Sequence, residues 1–90
     1  MAALSQNPSV EEVLGYLVSV LGRILDRSPT DIGPSATLDE DLALESVAFV
    51  ELQVWLEDEL GVEIDPITVV ELNTLWDVAV YLHSLILARQ

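Results

Sequence analysis

Ser46 follows Glu45 in the run Asp41-Leu42-Ala43-Leu44-Glu45-Ser46-Val47. A loop is expected to end near Glu45 and a helix to begin at or beside Ser46. That helix should run to Gly61, whose missing Cβ suits a left-handed helix cap. A serine so placed lies among backbone N–H groups that lack intrahelical partners. Its hydroxyl should be exposed, and a phosphate attached to it would meet the positive end of the helix. By itself the pattern reads first as an ordinary N-cap at Glu45 or Ser46.

The other chemically capable residues are sparse or unpaired. His83 is the sole histidine and falls in mid-helix, with no partners that the sequence brings to it. Asp39-Glu40-Asp41 lacks the Gly and the spaced bidentate Glu of a calcium loop, so a solvated charge run is expected and no metal site. No spacing among the carboxylates marks an acid–base pair. The chain has no cysteine, so disulfides, thiolate metal sites and cysteine nucleophiles are excluded. No catalytic residue is assigned. The chain is expected not to be an enzyme, and its useful group is expected to be added to it.

The elements that must position Ser46 follow from periodicity. Ser9-Val10-Glu11-Glu12 reads as a capping box, and a first helix should run from there to about Asp26. Val10, Val13, Leu14, Leu17, Leu21, Ile24 and Leu25 share one face of it, widened by Val18 and Val20. Gly15 and Gly22 interrupt its propensity, and a close neighbouring helix is the expected reason. Residues 27–44 carry turn chemistry around Pro29 and Pro34, with Ile32, Leu38 and Leu42 as apolar anchors across a bundle. At roughly 100° per residue, the second helix turns Phe49, Leu52, Leu56 and Leu60 inward. Val47, Glu51, Val54 and Asp58 then face outward, with Trp55 at the edge. Acids around apolar anchors make a surface that a basic partner can read.

Val62-Glu63-Ile64 should be a connector, with a brief strand conceivable. Asp65-Pro66 opens a short third helix over Pro66–Leu72, and Thr74 caps a fourth over Leu75–Ala88. Leu75, Val78, Ala79, Leu82, Leu85 and Ile86 of the fourth helix should face inward. The expected fold is all-α, a four-helix bundle of three long helices and one short, with a long loop between the first two. Residues 1–8 are expected to be a flexible lead and 9–90 the domain.

The stretch around Ser46 resembles the phosphopantetheine attachment motif of acyl carrier proteins, D-L-G-x-D-S-L followed by x-x-V-E-L. Here it reads Asp41-Leu42-Ala43-Leu44-Glu45-Ser46-Val47, then Ala48-Phe49-Val50-Glu51-Leu52. Leu56-Glu57-Asp58-Glu59-Leu60-Gly61-Val62-Glu63-Ile64 is likewise similar to the family's L-E-E-E-F-G-I-E-I. Ala43, Glu45 and Val47 depart from the usual Gly, Asp and Leu, and Glu45 bears on which modifying enzyme accepts the chain. The resemblance spans roughly residues 9–88.

It implies that Ser46, preceded by Glu45, takes 4′-phosphopantetheine from coenzyme A and that acyl groups ride on the arm as thioesters. It implies docking of partner enzymes by Val47, Glu51, Val54, Glu57 and Asp58. It also implies an acyl-chain crevice near Val62, Ile67, Val70, Leu72 and Leu75, with the alternative that these side chains only close the bundle. The implied partners are a phosphopantetheinyl transferase and an acyl-loading enzyme, ketosynthase or acyltransferase with a basic docking surface. A discrete polyketide-type carrier is expected, with fatty-acid and peptidyl carriers as relatives in class. The alternative is an unmodified acidic helical adaptor on a basic partner. A saposin-like lipid module is disfavoured by the absence of cysteine.

Composition narrows the partners. Arg23, Arg27 and Arg89 are the only strong cations against 16 acids, for a net charge of −13. That disfavours nucleic acid and anionic membranes. At 90 residues and 51% hydrophobic, the chain should form one small ordered domain. The N-terminus has no basic region and no long apolar run, so it does not read as a signal peptide. A monomer in the cytoplasm is expected.

Overall fold

A computed structural model describes residues 8–38, 40–42 and 46–88, with Ser46, Pro66 and Val70 described by backbone alone. Among the described residues four α-helices follow in order: α1 (Val10–Leu25), α2 (Ser46–Leu60), α3 (Pro66–Val70) and α4 (Leu75–Ala88). The fold is all-α, as the periodicity indicates, with three long helices and one short.

Each long helix is bounded by local chemistry. Ser9 Oγ accepts from the Glu12 N–H at 3.2 Å, and the Glu12 carboxylate accepts from the Ser9 N–H at 3.5 Å, completing the capping box. Asp26 ends α1 in the left-handed region at φ 54°, and Gly61 does the same after α2 at φ 65°. Thr74 and Asp77 exchange side-chain-to-backbone hydrogen bonds at 3.2 and 3.3 Å at the start of α4. α3 stops at Val70, earlier than the expected Leu72, because the Glu71 N–H turns back to the Thr68 and Val69 carbonyls. The β-branched run Ile67-Thr68-Val69-Val70 gives the helix little propensity to continue.

The core gathers Val13, Leu17, Val20 and Leu21 of α1 with Leu52, Leu56 and Leu60 of α2 and Leu75, Val78, Ala79, Leu82 and Ile86 of α4. Phe49 and Leu85 are half-buried at its margin. Ile32, Leu38 and Leu42 are all buried, so the long loop is pinned by the three anchors its pattern suggested. Pro29–Asp31 forms a 3₁₀ turn within that loop. Pro8 is buried too, one residue ahead of the expected domain boundary, while residues 1–7 lie outside the described residues.

The loop also caps α4. The Leu75 N–H donates to the Ala36 carbonyl at 3.0 Å and the Trp76 N–H to the Pro34 carbonyl at 2.9 Å. Two donors at the head of α4, where intrahelical acceptors are lacking, are met by loop backbone. Thr37 and Thr74 form an isolated antiparallel bridge beside them. Val62–Ile64 is an unpaired connector, without the strand that was conceivable.

Gly22 corrects an expectation. A Cβ there would meet the Arg27 carbonyl oxygen at 3.0 Å and Pro29 Cγ at 3.5 Å. The close neighbour is the chain's own return after α1, not another helix. Nothing lies within 4 Å of a Cβ at Gly15, so no neighbour explains that glycine.

Candidate functional site

α2 begins at Ser46, which places this serine in the first turn of a 15-residue helix with no acidic residue in that turn. A phosphate ester there would meet the positive end of the helix. Glu45 lies outside the described residues.

The chain approaching that helix is held by its own polar groups. The Thr37 N–H donates to Asp41 Oδ2 at 2.9 Å, and the Asp41 N–H donates to Thr37 Oγ1 at 3.0 Å. Arg27 Nη1 reaches across from the end of α1 to the Asp41 carbonyl at 3.1 Å. Asp41 therefore serves the loop. Among the described residues no group of three potential metal ligands converges.

The outer face of α2 carries the expected docking residues, with one exception. Val47 is 70% exposed and Val54 59% exposed, and Glu51 and Asp58 are exposed beside them. Val50 joins this apolar stripe, and Glu59 joins its acids. An open groove of about 480 Å³ lies along Val50, Glu51, Val54, Trp55, Asp58 and Glu59. The Arg23 guanidinium sits over the Trp55 ring, 5.8 Å from its centroid. Val50 and Glu59 were missed because single helix angles near the edge of a face do not say which side the neighbouring helix covers.

Glu57 is the exception. It is half-buried, and its Oε2 accepts from the Ile64 N–H at 2.8 Å. The connector after Gly61 folds back onto this side of α2, so Glu57 serves the fold and is turned from the open face.

Of the expected crevice residues, Val62, Leu72 and Leu75 join the shared core and Ile67 does not. Val62 and Leu75 are buried in the core, Leu72 is half-buried, and Ile67 is 69% exposed. The Val70 side chain lies outside what is described. A void of only about 10 Å³ lies instead between Phe49, Leu52, Gln53 and Leu56 of α2, Ile64, Val69 of α3, and Val78 and Leu82 of α4. The inward positions of α2 and α4 signalled these walls. Their meeting around a space follows from how three helices converge.

Residues 15–82 match the family model described as the phosphopantetheine attachment site. The chain is 29% identical over 75 residues to the meromycolate extension acyl carrier protein of Mycolicibacterium smegmatis, covering 83% of this chain and 76% of that protein. It is 30% identical over 76 residues to the acyl carrier protein of Thermobifida fusca, covering 84% of this chain and 96% of that protein. It is 25% identical over 75 residues to the acyl carrier protein of Rhodococcus erythropolis, covering 83% and 82%.

Proposed function

The chain belongs to the phosphopantetheine-bearing acyl carrier protein family, and from that membership we propose that Ser46 is the residue that carries the arm. The family's cofactor is covalent 4′-phosphopantetheine, whose thiol holds acyl groups as thioesters. The observation that carries the assignment is the position of Ser46 as the first residue of α2, at the close of a loop pinned by Thr37, Asp41 and Arg27. This chain's own part is to anchor, present and shelter; the reactive atom belongs to the cofactor.

Carriers of this family meet a phosphopantetheinyl transferase and acyl-handling enzymes. We assign their docking to Val47, Val50, Glu51, Val54 and Asp58, which leave an apolar stripe rimmed by acids open to a basic surface. The acidic face supports a fatty-acid or polyketide type of carrier over a peptidyl one. Between those, the relatives named for meromycolate extension weigh toward acyl-chain extension, and polyketide assembly stands as the narrower second reading on composition. The void among α2, α3 and α4 is the proposed start of the acyl crevice, since its walls are apolar apart from Gln53. Among the described residues no helix is long and apolar enough to cross a membrane, and work in the cytoplasm as a monomer is part of the proposal.

Co-expression with a phosphopantetheinyl transferase followed by intact mass measurement tests this. The chain should gain the mass of one arm, and Ser46→Ala should fold and gain none. An arm mapped to Ser35 or Ser84, or one that persists in Ser46→Ala, would overturn the assignment. A chain that stays unmodified would point to the acidic adaptor.

A further inference from the structure

Ile64 lies on the connector between α2 and α3, and both of its backbone polar groups are held by α2 side chains. Its N–H donates to Glu57 Oε2 at 2.8 Å, and its carbonyl accepts from Gln53 Nε2 at 3.4 Å. Gln53 and Glu57 are four residues apart, so their polar ends sit together on one side of the helix. The next N–H, of Asp65, donates to the Tyr81 hydroxyl of α4 at 3.0 Å. The Asp65 carboxylate is spent on its own helix, accepting from the Ile67 N–H and from Thr68 Oγ1.

Gln53 and Ile64 are also walls of the small, partly open void between α2, α3 and α4. That void, about 10 Å³, is at the lower limit for holding even one water. An alkyl chain entering it must therefore displace a wall. The walls from α2 and α4 are long helices committed to the shared core through Leu52, Leu56, Val78 and Leu82. The remaining wall is Ile64 and the five-residue α3 with Val69. Its side chains can shift, but its backbone yields only if the hydrogen bonds at Ile64 lengthen or break, and the one to the Glu57 carboxylate is the stronger kind.

We propose that Gln53 and Glu57 form a clasp on Ile64 that sets how long an acyl cargo the interior shelters. The inference rests on the reading that cargo enters the void. Short chains are taken up by side-chain adjustment of Ile64 and Val69. Longer ones require the Ile64 backbone to move, and the clasp opposes that movement. Glu57 is thus a cargo-length determinant, and its carboxylate is engaged inside the fold.

The test loads Ser46 with acyl-4′-phosphopantetheine carrying acyl groups of two to ten carbons and follows Tm and amide exchange at Ile64. In the wild type, Tm should climb over the first few carbons and then level off. In the Gln53→Met/Glu57→Ala double variant it should keep climbing to longer chains. Glu57→Gln retains an acceptor and should level off where the wild type does. Exchange at Ile64 in the unloaded double variant should be roughly tenfold faster, the scale of losing one charged hydrogen bond. A purely structural role would lower every Tm alike and leave the levelling length unchanged. Parallel curves would therefore overturn the clasp while leaving the sheltered cargo intact. Flat curves in every protein would overturn both, because no cargo would then enter. Should the double variant fail to fold, Glu57→Ala alone, which removes the shorter and stronger bond, decides the matter by a longer or an unchanged levelling length.

Discussion

Tyr16 shows how one residue couples the α1–α2 contact to pH. Its hydroxyl and the Trp55 indole N–H are both buried without a hydrogen bond of good geometry. Burial raises the Tyr16 pKa above the ordinary 10.0, and the Glu59 charge adds to this, while the nearby Trp55 N–H and Arg23 oppose it. In the unfolded chain Tyr16 ionises at its ordinary value, and in the folded chain it does so higher. The native state thus keeps a proton that the unfolded state has lost. Stability tied to the neutral hydroxyl is complete below pH 10.0 and is lost as pH rises from there through the folded value. Tyr16→Phe should therefore flatten the alkaline fall in Tm measured between pH 8 and 11. At neutral pH it should range from neutral to about 1 kcal/mol stabilising, because it removes an unpaired buried hydroxyl. If wild type and variant decline in parallel above pH 10, Tyr16 carries no such linkage.

At the scale of the element, α1 contains two glycines with opposite surroundings. Gly15 is exposed and has open space where a Cβ would go. Alanine there recovers helix propensity at no steric cost, so Gly15→Ala should stabilise by about 0.5–1 kcal/mol. Gly22 is buried, and the Arg27 carbonyl stands 3.0 Å from the added carbon. The Arg27 N–H also donates to the Gly22 carbonyl at 2.9 Å, so this backbone cannot retreat without loosening the helix end. Gly22→Ala should fall at least about 1 kcal/mol below Gly15→Ala. For a domain of this size that difference amounts to roughly 4–8 °C in Tm. Equal Tm values for the two variants would show that the turn after α1 gives way freely.

The whole molecule is governed by its charge. With a net −13 and no lysine, the chain presents its acids to every partner, and the α2 groove concentrates Glu51, Asp58 and Glu59 around apolar floor residues. Glu51→Lys and Asp58→Lys should each slow acyl or arm transfer by roughly threefold to tenfold at low salt. The gap should shrink toward 1 M salt, where screening reaches only about 3 Å. Tm should change little or rise, since each reversal relieves self-repulsion and neither side chain is buried. Transfer rates that match the wild type at low salt for both reversals would remove α2 from docking.

The bundle and the position of Ser46 were legible from sequence because their causes are local. A 3.6-residue apolar period, the Ser9–Glu12 box, Gly61 and the Thr74–Asp77 cap each act within one or two turns, and α1 and α4 begin, and α2 ends, where those signals stand. The loop anchors Ile32, Leu38 and Leu42 were legible for a related reason: an isolated apolar residue in polar surroundings must find cover. Glu57, Gln53 and Gly22 were decided only by the tertiary structure. The family resemblance places Glu57 among the docking acids, but the connector returns seven residues later to give it a backbone partner. The helical pattern around Gly22 is silent on the carbonyl that packs against it from beyond the helix end. The crevice shows the same division. Its apolar inventory is in the sequence, yet which residues wall a space depends on the convergence of α2, α3 and α4, and that convergence is set by packing between segments far apart in the chain.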